Sequence, residues 1–118
     1  MRTQTHEHVC YNATSKKLET KILSFDDCQE FIGGYIENYQ IGENLFIYIH
    51  ETGAMGKRHL PVLLSYKNLY GLEIKKIFYG NIIFLRYDQD SNRIGTKKKH
   101  LKDIELREPT FLEMSKAG

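Results

Sequence analysis

The sequence has no long apolar run, and this absence bounds where the protein can act. A transmembrane helix needs about 20 consecutive, mostly apolar residues, and every apolar run in these 118 residues is far shorter. Residues 1–10 also lack the apolar core of a signal peptide. We therefore expect a soluble chain with no membrane span, located in the cytoplasm.

Cysteine and net charge are scarce as well. Cys10 and Cys28 are the only cysteines, which favours two free thiols in a reducing compartment over a disulfide framework. The net charge of +2 is too small for the strong overall attraction to nucleic acid that a markedly basic domain provides. Any contact with nucleic acid would have to come from a local cluster of cations.

What is present is typical of one small globular domain. Hydrophobic residues make up 41% and charged residues 27% of the chain, close to average composition, and the length suffices for a single core. We predict an α+β fold, with a small, mainly antiparallel sheet and one or two short helices packed on it. The domain spans residues 1–108, and residues 109–118 form a C-terminal tail.

Two hairpins and one helix have clear signatures. "HVCYN" and "KLETKIL" flank a polar turn, with Leu18 and Ile22 on the more apolar face of the second strand. "YIENYQI" and "LFIYIHE" are rich in aromatic and β-branched residues and predict a second hairpin. Between the hairpins, Ser24 is a suitable N-cap for a helix at residues 25–32, which Gly33 ends.

The later segments are less regular. "PVLLSYKNLYGL" predicts a second helix at residues 61–70, with Pro61 in its first turn and Gly71 just past its end. "KKIFYGNIIFLRYD" predicts one long central strand, bent or bulged at Gly80. "HLKDIELRE" alternates weakly and predicts an edge strand or a covering segment.

The second hairpin places a carboxylate where an apolar side chain is expected. If the loop consists of residues 42–44, Glu37 faces Ile49 and lies on the apolar face. A two-residue loop would instead set Glu37 opposite His50. A buried polar group without a partner costs about 1 to 3 kcal/mol, so we expect Glu37 to have one.

The same register predicts a polar corner, defined by Tyr35, Glu37 and Glu51, beside Gly33 and Gly34. Tyr35 would face Glu51, with Glu37 two residues along the same face. The corner could be structural, with Glu37 accepting backbone N–H groups left over at the helix end, or it could bind a ligand.

The order of these elements and two phrases resemble the phage and bacterial family known as domain of unknown function 3846. The resemblance covers residues 18–87, and its specific part is the run Gly33, Gly34, Tyr35, Ile36 and Glu37. "HETG" and "IFYGN" resemble further phrases of that family, with a histidine where the family has asparagine. The resemblance implies a small α+β fold and a phage-like context, and it carries no reaction.

Two other clusters could carry chemistry. His6, His8 and Cys10 would lie on one side of a strand and could ligate zinc. A structural site needs a fourth ligand, which Cys28, His50 or His59 could supply only through tertiary contact, so we favour exposed histidines and no metal site. "TGAMGKRH" contains a Gly-x-x-Gly-Lys run but lacks the spacing and the hydroxyl residue of a P-loop.

A basic stretch could contact phosphate groups. The alternative is a solvated turn, since no aromatic platform for bases is interleaved with these cations. The stretch comprises Lys97, Lys98, Lys99 and Lys102.

No nucleophile and base can be assembled from this sequence with any specificity, so we expect a binding protein without enzymatic activity and without a cofactor. Our first hypothesis is a small phage-like accessory protein that sequesters a small anionic ligand, such as a signalling nucleotide, at Gly33, Gly34 and the polar corner. One alternative is an interaction module that docks on or inhibits a host or assembly protein. A second is nucleic-acid binding through the basic stretch. The edges of the sheet also favour a homo-oligomer.

Overall fold

The computed structural model describes residues 4–52 and 60–117. These residues form nine strands, two α-helices and one short 3-10 helix. Their bounds are β1 (His6–Asn12), β2 (Lys17–Leu23), α1 (Phe25–Ile32), β3 (Ile36–Gly42), β4 (Leu45–His50), β5 (Pro61–Lys67), β6 (Glu73–Tyr79), β7 (Ile82–Tyr87), β8 (Arg93–Ile94), the 3-10 helix (Lys98–Leu101), β9 (Glu105–Arg107) and α2 (Phe111–Ala117). Apart from Thr52, the "TGAMGKRH" segment lies outside the described residues.

The strands form two antiparallel sheets, so the predicted α+β class is confirmed, although the sheets are more extensive than one small sheet. The large sheet has the order β2-β1-β7-β4-β3, and β8 adds to β7. The small sheet has the order β6-β5-β9. It packs on one face of the large sheet, and α1 packs on the other.

Side-chain alternation along β7 builds a core on each face of the large sheet. Ile82 and Phe84 point toward the small sheet, whereas Ile83 and Leu85 point toward α1. All four side chains are fully buried. Because neighbouring residues of a strand point to opposite faces, a strand covered on both sides needs such a continuous apolar run.

The predicted helix is confirmed as α1, together with its ends. The Ser24 side chain accepts from the Asp27 backbone N–H, and the Asp27 carboxylate accepts from the Ser24 backbone N–H, which is a capping box. Gly33 ends the helix in the left-handed region, at φ 90°. Cys28 and Ile32 are buried against the large sheet.

Both predicted hairpins are confirmed. In the second, Glu37 faces Ile49, as the 42–44 loop required, and not His50. The register shifts between Gln40 and Gly42, so that Gly42 pairs with Leu45. A bulge therefore shortens the connection while the rest of the pairing keeps the predicted register.

The helix predicted at residues 61–70 is wrong, because this segment is β5, the central strand of the small sheet. Val62 through Tyr66 are all buried. A short apolar run that is buried on both faces has no helical periodicity to distinguish it. Pro61 stands at the first residue of the strand, a position where sheets tolerate proline.

The single long strand predicted around Gly80 is also wrong. The chain turns at Gly80 and Asn81, so that β6 belongs to the small sheet and β7 to the large one. The Asn81 side chain accepts from the Ala13 backbone N–H at 2.8 Å and donates to the Phe31 carbonyl oxygen at 2.8 Å. These contacts fix the turn by tertiary partners that no local pattern contains.

The face of β2 predicted to be apolar is largely exposed. Leu18 is 39% and Ile22 is 69% exposed, whereas Glu19 and Lys21 on the other face are half-buried. Lys21 Nζ lies 5.5 Å from the centre of the Phe31 ring, on the α1 side. The apolar side chains of β2 therefore remain at the surface of the sandwich.

The end of the chain is partly as expected. Of the segment predicted as an edge strand or a covering segment, Glu105–Arg107 form the edge strand β9, which pairs with β5, whereas its first residues belong to the 3-10 helix. Within the predicted tail, α2 begins after Thr110, and the Arg107 guanidinium binds both oxygens of the Glu113 carboxylate at 2.9 and 2.7 Å. The division into a domain at residues 1–108 and a tail at 109–118 stays a prediction.

Residues 93–96, which we call the wedge, separate β1 from β7. These two strands pair only at Tyr11–Ile82 and Cys10–Ile83. The next pair in this register would join Val9 to Phe84. Instead, the Thr96 hydroxyl accepts from the Val9 N–H at 3.0 Å and donates to the Phe84 carbonyl at 2.8 Å. A side chain thus replaces one backbone hydrogen bond of the sheet.

The Thr96 hydroxyl bridge leads to a prediction about stability. Thr96→Val keeps the side-chain shape and removes the hydroxyl, so the buried Val9 N–H loses its acceptor and the Phe84 carbonyl loses one donor. We expect the free energy of unfolding to fall by about 2 to 3 kcal/mol, measured by urea denaturation. Thr96→Ser keeps the hydroxyl and should lose clearly less. Equal losses in the two variants would contradict the bridging role.

Candidate functional site

The polar corner forms at the predicted place, but on the surface. The Glu51 backbone N–H donates to the Tyr35 carbonyl at 3.0 Å, which brings the two ends of the hairpin together. Tyr35 is 76% exposed, and Glu37 and Glu51 are exposed as well. The expected burial of Glu37 is therefore wrong. Its carboxylate makes no hydrogen bond with any other residue that the structure describes, whereas its backbone pairs with Ile49 in the β3–β4 ladder.

The two glycines beside the corner serve the local packing. Gly33 supplies the left-handed end of α1. At Gly34, a Cβ atom would lie 2.7 Å from His50 Nε2, so a larger residue there would require the imidazole to move. His50 is held in turn, because its Nδ1 accepts from the Thr52 backbone N–H at 3.1 Å. The glycines thus have a structural explanation, whereas the two exposed carboxylates would repel an anion.

The exposure of Glu37 leads to a prediction. Glu37→Gln removes a charge that pays no burial cost, so the free energy of unfolding should change by less than about 0.5 kcal/mol. Urea denaturation would measure this change, with Tyr35→Phe as a control at the same corner. A loss of more than about 1 kcal/mol would show that the carboxylate has a structural partner after all.

His6, His8 and Cys10 lie on one side of β1 as predicted, but the histidines are not all exposed. His8 and Cys10 are fully buried. His8 Nδ1 donates to the Phe84 carbonyl at 3.0 Å, and His8 Nε2 accepts from Arg93 Nη1 at 2.8 Å. Both ring nitrogens are thus engaged. Among the described residues, no group of three His, Cys, Asp or Glu side chains is placed to hold a metal ion.

Arg93 joins β8 to the elements around it. Its Nη1 also lies 3.5 Å from the Leu23 carbonyl oxygen and 3.6 Å from Cys28 Sγ, and its Nη2 lies 3.5 Å from the Gln4 carbonyl oxygen. One guanidinium therefore contacts β1, the end of β2, α1 and the N-terminal segment. Arginine suits this role, because its planar guanidinium offers five N–H groups in a fixed geometry.

The buried titratable groups of this cluster are poor catalysts at neutral pH. The pKa of His8 is lowered to about 4, mainly by burial; the bond to the Phe84 carbonyl opposes this shift and the positive charge of Arg93 adds to it. Burial raises the pKa of the Cys10 thiol to about 12 and that of the Cys28 thiol to about 11. Neither thiol is therefore an activated nucleophile.

The low pKa of His8 predicts a pH dependence. Unfolded His8 binds a proton near its ordinary pKa of 6.5, whereas folded His8 remains neutral until about pH 4. Stability from this group is therefore complete above pH 6.5 and is lost as the pH falls toward 4, by about 2 kcal/mol at pH 5. Urea denaturation between pH 7.5 and 5 should show this loss.

Two variants separate His8 from the other groups that titrate in this range. His8→Gln should be less stable at neutral pH but flatter in its pH dependence, because the titrating ring is gone. His6→Gln, two residues away on the same strand, should keep most of the wild-type slope. A His8→Gln variant with an unchanged slope would contradict the assignment.

A second site lies on the opposite side of the wedge and was not predicted as such. It is an open depression of about 180 Å³, which we call the cationic cleft. Arg86 Nε donates to the Gly95 carbonyl at 2.9 Å, which fixes the guanidinium at this position. The cleft is lined by His6, Glu7, Arg86, Gly95, Thr96 and Lys97.

The backbone around the cleft is tightly held. A Cβ atom at Gly95 would overlap the Glu7 carbonyl oxygen, so the wedge can approach β1 only with glycine there. The Thr96 N–H donates to the same Glu7 carbonyl at 3.0 Å. The cleft is thus built on fixed backbone. Its charged side chains come from β1 (Glu7), from β7 (Arg86) and from Lys97, which directly follows the wedge.

The predicted basic stretch continues this cleft. Lys98, Lys99 and Lys102 are exposed on and after the 3-10 helix, and Lys97 extends into the cleft. Lys97 Nζ lies 4.0 Å from the Glu7 carboxylate, which is a long and exposed ion pair. Such pairs contribute little to stability, so Lys97 can turn to a ligand at small cost.

Sequence reasoning found the lysines but missed Arg86 and His6. One signal was available, because residues 86–102 hold six of the 17 Lys and Arg residues and two of the 15 Asp and Glu residues. The net charge of this segment exceeds that of the whole chain. The modest overall charge therefore conceals a strong local excess.

Comparisons with protein-family models, curated proteins and solved structures found no match. The resemblance to domain of unknown function 3846 accordingly stays a prediction. No helix among the described residues is long and apolar enough to cross a membrane.

Proposed function

We propose that this protein acts by binding and that it captures a small phosphate-bearing anion in the cationic cleft. The observation that carries the proposal is the convergence of Arg86 and Lys97 on one fixed depression. Arginine binds phosphate oxygens through two parallel N–H groups, and lysine adds a point charge. The ligand class is the one expected from the sequence, a small anion such as a signalling nucleotide.

The location differs from the expected one. The polar corner presents two carboxylates and no cation, which opposes an anion, whereas the cleft presents two cations, Arg86 and Lys97, against one carboxylate, Glu7. Burial and the nearby Arg93 charge lower the pKa of His6, and burial followed by the Arg86 charge lowers the pKa of His100 beside the cleft. Both imidazoles would thus be mainly neutral at pH 7 and would add little positive charge. The His6 ring lies on the same side of β1 as His8 and Arg93, so Arg86 and Lys97 carry the recognition of the ligand.

Nucleic-acid binding through Lys97, Lys98, Lys99 and Lys102 uses the same phosphate chemistry. The six lining residues of the cleft include no Phe, Tyr or Trp, whereas sequence-tolerant binding of single strands relies on aromatic platforms for the bases. We therefore favour a free anion over a nucleic-acid backbone.

The docking alternative is supported by a separate surface. Leu69, Tyr70 and Leu72 are exposed in the turn between β5 and β6, and Tyr70 is 88% exposed. Docking on a host or assembly protein, action in the cytoplasm and a phage-like context stay predictions. These last expectations rest on composition and on the family resemblance.

Isothermal titration calorimetry tests the anion proposal with pyrophosphate, a panel of nucleoside phosphates and a short single-stranded oligonucleotide. We expect a phosphate compound to bind, and Lys97→Gln to weaken binding by roughly tenfold, because one charge-assisted hydrogen bond is lost. Arg86→Lys should weaken binding as well, since the fork is lost while the charge is kept.

Lys75→Gln is the matched control, because Lys75 is an exposed lysine on β6, in the other sheet. It should leave binding unchanged. Equal weakening by Lys75→Gln and Lys97→Gln would show non-specific attraction and refute the cleft. Binding of the oligonucleotide alone, weakened by changes at Lys98, Lys99 and Lys102, would favour the nucleic-acid alternative.

A further inference from the structure

Among residues 4–52 and 60–117, no strand pairs with the outer edge of the large sheet at β2. β2 pairs with β1 over seven residues and ends the strand order of the large sheet. An exposed strand of this length offers a row of backbone donors and acceptors to another strand. Its exposed apolar side chains, Leu18 and Ile22, adjoin the same edge.

The hydrogen bonds of β1 show which residues of β2 face outward. The Val9 N–H and the Glu7 carbonyl both bind Thr96, on the side of β1 away from β2. Two residues that face each other in an antiparallel ladder either exchange hydrogen bonds or both direct their backbone groups outward. The β2 residues that face Val9 and Glu7 therefore direct their N–H and C=O groups away from β1. Val9 pairs with Thr20 and Glu7 pairs with Ile22. Leu18, Thr20 and Ile22 therefore present their N–H and C=O groups to the open edge.

A second β2 strand related by a two-fold axis can bond to these groups only in certain registers. Outward residues must face outward residues, which leaves three long overlaps, centred on Glu19, Thr20 or Lys21. Centring on Glu19 sets that carboxylate against its own copy, and centring on Lys21 does the same for the ammonium group. Like charges directly opposite each other are destabilising.

The register centred on Thr20 has the opposite property. It sets Glu19 against Lys21 of the second copy, and the two-fold axis repeats this pair. On the other face it sets Leu18 against Ile22, again twice, so the exposed apolar side chains cover one another. The pairing of outward residues leaves three registers, and charge and apolar contact select the one centred on Thr20.

We propose that β2 is a self-recognition edge and that two copies of this chain pair their β2 strands antiparallel about Thr20. The proposal is independent of the cationic cleft, which lies beyond the opposite edge of β1. The other full-length outer strands suit self-pairing less. β6 would set Lys76 against its own copy, and β3 is interrupted by its bulge.

Charge reversal tests the register. Analytical ultracentrifugation of the wild-type chain should show a dimer. Glu19→Lys and Lys21→Glu should each raise the dimer dissociation constant by roughly tenfold or more, because each creates two like-charge pairs across the axis. The double variant Glu19→Lys with Lys21→Glu should restore the dimer, since the opposite charges face each other again. Lys75→Glu on β6 is the matched control and should have no effect.

Cross-linking tests the axis. Opposed residues of a hydrogen-bonded antiparallel pair have Cα atoms about 5.5 Å apart, a separation that a disulfide can span. Thr20→Cys should therefore form a covalent dimer under mild oxidation, whereas Thr14→Cys in the exposed β1–β2 turn should not. A wild-type chain that stays monomeric at high concentration, or a dimer unaffected by both single charge reversals, would overturn the proposal.

Discussion

The Thr96 hydroxyl is the contact on which the arrangement of this molecule depends. It joins Val9 of β1 to Phe84 of β7 across a gap that the wedge has opened between two neighbouring strands. The Phe84 carbonyl also accepts from His8, so one buried oxygen receives two side-chain donors. Because the wedge is held between the strands, Arg93 and Arg86 lie on opposite faces of the sheet, where each can serve a different purpose.

The wedge serves both stability and a candidate site, because it holds one arginine and fixes another. Arg93 is turned inward and donates to the neutral ring of His8 and to backbone carbonyls. One guanidinium can do this because it carries five N–H donors in a fixed geometry. Arg86 is fixed by the Gly95 carbonyl and adjoins the open cleft. The inward cluster contains the buried thiols and a depressed histidine, whereas the outward cleft contains the accessible cations.

Local signals in the sequence sufficed for the hairpins and α1, because alternation, the Ser24 cap and the Gly33 stop are encoded within a few residues. These signals failed for β5, because "VLLSY" is mostly apolar and follows neither a helical nor a strand period. Its flanking Pro61 and Gly71 fit a helix as well as a strand. The turn at Asn81 depends on Ala13 and Phe31, which are distant in sequence. The cleft could not be predicted from the sequence for the same reason. Its lysines form a run in the sequence, but Arg86 and His6 join them only through the wedge.

The aromatic and β-branched residues of β3 predict a buried face for Glu37. In the structure β3 is an outer strand of the large sheet, and Glu37 is exposed.

The pairing of β1 with both β2 and β7 has a consequence for the order of events during synthesis. β2 follows β1 at once, so this hairpin can form as soon as both segments leave the ribosome. The other side of β1 finds its partners only when residues 82–96 have been made. Contacts between segments so distant in sequence slow folding, since the loop must close before they contribute. The inner edge of β1 thus stays unpaired until residues 82–96 have been made, and the large sheet can close only then.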